Sequence, residues 1–163
     1  MNPTFTETQK FNKWWHYLLL LAPFIGVIIM KFIVLPGIER SNQSITINGF
    51  IISTLLGLVA ILWVILVKLK TTINEKGIMV NFYGIPFCKK EIVWDDINSI
   101  EVVEYSPLKE YGGWGVRMGA RGWCYNVSGK IGIKLTRASG KPFLIGTQQK
   151  EEAEKIINHY FKK

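Results

Sequence analysis

The sequence predicts a pair of apolar helices followed by a mainly-β domain of about seven strands, which a single C-terminal helix closes. Three observations carry that prediction. Two long stretches within residues 1–70 are almost free of charge; residues 71–145 alternate apolar and polar positions in short runs; and the chain ends on an amphipathic helical pattern.

The chain has 163 residues, 20 of them basic and 12 acidic, for a formal charge of +8, with 48% apolar residues and a mean hydropathy of +0.19. Disorder, collagen and a disulfide-stapled mini-protein are excluded by this composition. The charge is unevenly spread: residues 1–70 hold 6 Lys/Arg and 2 Asp/Glu, residues 71–163 hold 14 and 10. Residues 1–70 are therefore expected to form a membrane hairpin, with spans at about 14–35 and 47–67, and residues 71–163 a cytoplasmic domain.

Trp14 to Met30 has no formal charge, Lys31 interrupts, and Pro36-Gly37 ends the run. As one helix, residues 14–35 cover roughly 33 Å, a bilayer core. Lys31 then snorkels from near the outer end, and a kink at Pro23 is tolerated within a hairpin. In the second span, Gly49 to Val67 is almost entirely apolar and Lys68 and Lys70 close it. Lys10, Lys13, Lys68, Lys70 and Lys76 flank the hairpin on one side, against Arg40 in the loop, which puts both termini inside. Trp14, Trp15, Tyr17 and Trp63 form an aromatic belt at that face. The apolar stretch is too long for a cleaved signal peptide. Gly49, Ser53 and Gly57, with Ala22 and Gly26, make small-residue stripes that let helix backbones approach, either within the hairpin or between copies.

After Lys70 the period becomes that of strands. Strands are expected at Thr71–Asn74, Ile78–Phe82, Phe87–Trp94, Ser99–Tyr105, Val116–Met118 with Trp123–Val127, Ile131–Leu135 and Pro142–Ile145. Turns fall at Asn74–Gly77, Tyr83–Pro86, Asp95-Asp96 and Ala138–Lys141. Thr147 is the expected N-cap of the last helix, with Glu151 and Glu152 in its first turn. Ala153, Ile156, Ile157, Tyr160 and Phe161 share one face, which covers the apolar mouth of a half-open barrel.

The pieces Ile92-Val93-Trp94-Asp95-Asp96-Ile97, Tyr111-Gly112-Gly113-Trp114-Gly115-Val116-Arg117, Tyr125-Asn126-Val127-Ser128-Gly129 and Leu144-Ile145-Gly146-Thr147 occur in this order, behind the two spans. With that element order, the chain resembles small bacterial membrane proteins in which two transmembrane helices precede a bacterial pleckstrin-homology-like (PH-like) domain. The resemblance implies a PH-like barrel, a multi-pass protein of the bacterial inner membrane, and no catalytic residues. Phosphoinositide-binding PH domains carry a basic loop between their first two strands. Here that loop is Asn74–Gly77, where Glu75 cancels Lys76.

Chemistry is sparse. Cys88 and Cys124 lack metal-ligand spacing and read as buried thiols. His16 and His159 have no ligand partner at helical spacing. Asp95 and Asp96 read as turn caps. The glycines from Gly112 to Gly122 lead into strand residues rather than a helix, so they read as bends, not a nucleotide loop. No catalytic residue, metal site or cofactor is expected.

Charge is split along the β domain. Residues 91–110 hold six acidic residues and Lys109; residues 111–150 hold seven basic residues and no acidic one. Arg117, Arg121, Lys130, Lys134, Arg137 and Lys141 are the candidate surface for an acidic protein or anionic lipid headgroups. No nucleic-acid motif is present. The expected function is a membrane-anchored, non-enzymatic interaction or assembly module, in contact with the lipid bilayer and open to homo-oligomerisation. The alternative is a small oligomeric transport or channel subunit.

Overall fold

The computed structural model describes residues 2–11, 21, 24–26, 28, 29, 32, 43–119, 121–138 and 140–161, with the side chains of 43–50 excepted. The chain forms two compact units. One joins Met1–Lys10 to Val67–Lys163, the other is Phe11–Leu66. The boundary expected after residue 70 falls inside a strand.

The first unit begins with a strand that hydrophobic alternation does not announce. Strand β1 (Phe5–Lys10) pairs antiparallel with β2 (Lys68–Asn74), and Lys10 stands opposite Lys68. The chain therefore leaves for the second unit and returns from it at the same end of one sheet. β3 (Gly77–Tyr83) and β4 (Lys89–Val93) complete this sheet in the order β1-β2-β3-β4. The β2–β3 turn forms where expected, with the Lys76 N–H donating to Asn74 Oδ1 at 2.9 Å. Residues Trp94–Asp96 make a single 3-10 turn.

The second sheet has the order β5-β8-β9-β7-β6, from β5 (Ile97–Glu104), β6 (Gly115–Gly119), β7 (Gly122–Asn126), β8 (Ile131–Arg137) and β9 (Phe143–Gly146). The stretch expected as one broken strand at 116–127 is a hairpin of two, β6 and β7. Alternate residues of the two sheets meet in one core: Leu69, Ile73, Ile78, Val80 and Phe82 from the first, and Ile97, Tyr125, Ile133, Leu135 and Ile145 from the second, all at most 2% exposed. Phe82 and Tyr125 meet edge to face at 6.1 Å. Burial of this kind stabilises by roughly 1.5–3 kcal/mol per large side chain.

Helix α1 (Gln43–Leu66) belongs to the second unit; α2 (Pro107–Tyr111) and α3 (Lys150–Tyr160) belong to the first. α3 buries Ala153, Ile156 and Ile157, as its apolar stripe requires, and touches β1 and β2 of one sheet and β5 and β8 of the other. Tyr160 stacks on Trp94, and Phe161 meets the same ring at a tilt. Its N-cap is Gln149, not Thr147. The Thr147 hydroxyl is otherwise engaged: it donates to Glu7 Oε2 at 2.6 Å, and the Gln148 N–H donates to Glu7 Oε1 at 2.8 Å.

Three expectations are corrected. The strands form two sheets and not a closed barrel. The chain opens on a sheet strand, not a transmembrane hairpin, and among the described residues no helix is long and apolar enough to cross a membrane. Most of the span expected at 14–35, with Lys31, Pro23 and most of its aromatic belt, lies outside the described residues. A multi-pass inner-membrane placement and the resemblance to two-span PH-like proteins are accordingly not supported.

In α1 the large side chains Ile51, Ile52, Leu55, Leu56, Leu58, Val59, Leu62, Trp63, Ile65 and Leu66 are 48–70% exposed. At 100° per residue they occupy one half of the helix. Ser53, Thr54, Gly57, Ile61 and Val64 lie on the less exposed half. A Cβ at Gly57 would overlap the ring of Phe24, so the small residue there admits a close neighbour. At Gly26, by contrast, a Cβ would meet nothing within 4 Å among the described residues. Ala22 and the surroundings of Gly49 lie outside the described residues.

Candidate functional site

The six basic residues expected to form a binding surface are spread over β6, β8 and the turns beside β7 and β9, and three of them are in ion pairs. Strand β5 carries Glu101 and Glu104 of the acidic run and β8 carries Lys134 and Arg137 of the basic one, and antiparallel pairing lays the two strands side by side. Glu101 is in register with Lys134, and their side chains meet at 3.0 Å. Arg137 reaches Asp96 with both Nε and Nη2, at 2.7 and 2.6 Å. Arg121 reaches back from the β6–β7 turn to Glu110 of α2 at 2.6 Å. Arg117 donates to the Trp114 carbonyl at 3.0 Å, and the Lys141 ammonium lies 3.8 Å from Met118 Sδ. Lys130 is exposed in the β7–β8 turn. Half of the predicted set is thus neutralised at short range, which weakens any far field it could project.

The residues weighed for chemistry carry none that the geometry supports. Cys124 is fully buried against Tyr105, Tyr111 and Leu144, and burial pushes its thiol up to about 12. Burial also raises the Tyr105 hydroxyl, which accepts a 2.8 Å hydrogen bond from Asn126 Nδ2. Such a thiol is a core residue and not a nucleophile. Asp96 is held by Arg137 as described, and no group of three metal-ligating side chains occurs among the described residues. Gly112 ends α2 in the left-handed region at φ 71°, and its N–H caps the Leu108 carbonyl. The glycine run is bend chemistry.

A different surface emerges at the end of the first sheet where the chain departs for residues 11–66. Inward positions of β2 are Leu69, Thr71 and Ile73, so Lys68 and Lys70 point outward. Register then aligns Lys10, Lys68 and Tyr83 in one cross-strand row, and Thr8, Lys70, Asn81 and Lys89 in the next. The Lys68 ammonium sits 5.0 Å over the Tyr83 ring. Lys89 pairs with Glu91 at 2.6 Å, a hydrogen bond that raises the ammonium pKa, and Lys90 beside it is exposed. Above these rows the β3–β4 turn presents Phe87, 97% exposed and at φ 61°. A bulky residue in that region costs of order 1–3 kcal/mol. The turn is closed by Phe82 N–H to Cys88 O at 3.1 Å and Ile85 N–H to Phe82 O at 3.3 Å, so the strained ring is held out and not tucked away.

Sequence reasoning used Lys10, Lys68 and Lys70 only as orientation markers, and took Phe87 as a strand residue. The Lys-x-Lys spacing of 68 and 70 was the available signal, since alternate strand residues share a face. It lacked β1, whose pairing brings in Lys10.

Compared with known proteins, the chain matches no family model, no curated protein and no solved structure.

Proposed function

We propose that this protein is a non-enzymatic interaction module that associates with an anionic lipid surface. The observation that carries the reading is the exposed apolar surface of α1. Its sequence is apolar almost all round, and its large side chains from Ile51 to Leu66 on one half are 48–70% exposed. A water-soluble helix buries its apolar stripe. An exposed apolar patch of this extent marks a surface that something else covers. Lipid chains offer that cover without a shaped partner. The anionic preference follows from Lys68 and Lys70, which come directly after the helix in sequence, and from Lys10.

The test is flotation of the full chain with vesicles of phosphatidylcholine alone or mixed with phosphatidylglycerol. The expected result is co-flotation, strengthened by phosphatidylglycerol at low salt. A chain that stays at the bottom of the gradient with both compositions would sink the reading, and capture of an acidic protein in its place would identify the rival partner.

A further inference from the structure

Within the β unit, one end of the first sheet combines three features that occur together nowhere else among its described residues. Lys10, Lys68, Lys70 and Lys89 lie on adjacent outward positions there, and Glu91, which pairs with Lys89, is the single acidic residue among them. Phe87, the most exposed large apolar side chain of the described residues, projects from the turn at that end. Both strands that connect to residues 11–66 open at that end too. Cations around a projecting aromatic ring match an anionic interface: the ammonium groups meet headgroup phosphates and the ring enters the boundary layer below them.

We infer that the β3–β4 turn, Gly84–Cys88, is the part of the β unit that faces the lipid, with Phe87 entering the interface and Lys10, Lys68 and Lys70 binding anionic headgroups. The inference rests on the lipid reading above and adds an orientation to it. The opposite end of the sheet, the Asn74–Gly77 turn, then points away, because β2 separates the two ends by seven residues, or ~20 Å. A fold that favoured only stability would not keep an aromatic ring in a strained backbone, in water, on a turn closed by two hydrogen bonds.

The experiment labels one end at a time in the full chain. In a Cys88→Ser background, an environment-sensitive fluorophore is attached at Phe87→Cys or at Lys76→Cys; Cys124 is buried and stays unlabelled. Each protein is floated on phosphatidylglycerol-containing vesicles that also hold a lipid with a headgroup nitroxide. The fluorophore at 87 is expected to lose most of its emission and the one at 76 to keep it. If the chain floats but 87 is unquenched, or 76 is quenched as strongly, the orientation is wrong while the lipid reading stands. If the chain does not float, both fall. Phe87→Cys removes a side chain that packs on nothing, so the variant folds as the parent does.

Discussion

Strands β5 and β8 and the open end of the first sheet are the two charged regions of the β unit, and they resolve their charge in opposite ways. In and beside β5 and β8, register turns a lopsided sequence into short ion pairs such as Glu101–Lys134 and Asp96–Arg137. At the open end, β1, β2 and β4 bring lysines together from three separate segments, and only Lys89 has an acidic partner among the described residues. A run of like charge along the chain therefore says little about the field outside the molecule. The pairing partner decides, because screening leaves only the unanswered charge visible beyond about 8–10 Å.

The largest effect that separates the two regions is on lipid binding. Replacing Lys10, Lys68 and Lys70 by Gln removes about 1 kcal/mol each at an anionic surface, ~3 kcal/mol together, or roughly a hundredfold in partitioning. The matching triple in the second sheet, Arg121, Lys134 and Arg137 to Gln, is expected to change partitioning by less than about threefold, because these cations are already paired. Equal losses from the two triples, measured by vesicle titration at low salt, would erase the distinction.

A second charge, Glu7, is answered inside the fold by neutral donors. It is 6% exposed and accepts from the Thr147 hydroxyl and the Gln148 N–H, while Gln9 beside it on β1 donates to the Gly146 carbonyl at 2.7 Å. These bonds latch β1 to the β9–α3 corner. Glu7→Ala leaves two donors without their acceptor and should cost about 2–3 kcal/mol in urea unfolding. Glu7→Gln, which retains one acceptor oxygen, should cost less. A Glu7→Ala protein of parental stability would show that the latch contributes nothing.

Cys124 is a charge the fold prevents from forming. Its thiol is pushed from 9.0 to about 12 by burial. Above the unfolded pKa the unfolded chain loses this proton and the folded chain keeps it. Stability conferred at neutral pH is thus lost as pH rises from 9 toward 12. By about pH 10 the loss is roughly 1 kcal/mol. Cys124→Ala should flatten that part of the profile of urea midpoint against pH, and an unchanged slope would assign the loss to other groups such as Tyr125, which burial also raises to about 12.

What was legible in the sequence follows from the range of the interaction. The alternation of Ile78, Val80 and Phe82, or of Ile131, Ile133 and Leu135, reports a buried face directly, and the stripe through Ala153, Ile156 and Ile157 reports α3. β1 was missed because its inward residues after Phe5 are Glu7 and Gln9, whose burial depends on partners more than 130 residues away. The barrel was wrong because alternation is the same for two facing sheets as for one closed on itself. The ion pairs of the candidate basic residues were illegible for a related reason: β5 pairs β8, not β6, and nothing local states that.

The smallest predicted effect isolates that last point. Lys134 and Glu101 are both about half exposed, at 51% and 59%, so their pair contributes little to stability. Exchanging them, Glu101→Lys with Lys134→Glu, keeps the register, the ion pair and the net charge, and should shift stability by no more than about 0.5 kcal/mol. Either single change places like charges directly opposite each other and should cost more than the exchange. The double-mutant cycle in urea thus reads the cross-strand coupling itself, independent of each residue's intrinsic strand preference. Additive single effects, with no recovery in the double, would mean that the two strands carry opposite charge without using it, and that the neutrality of this region does not come from pairing.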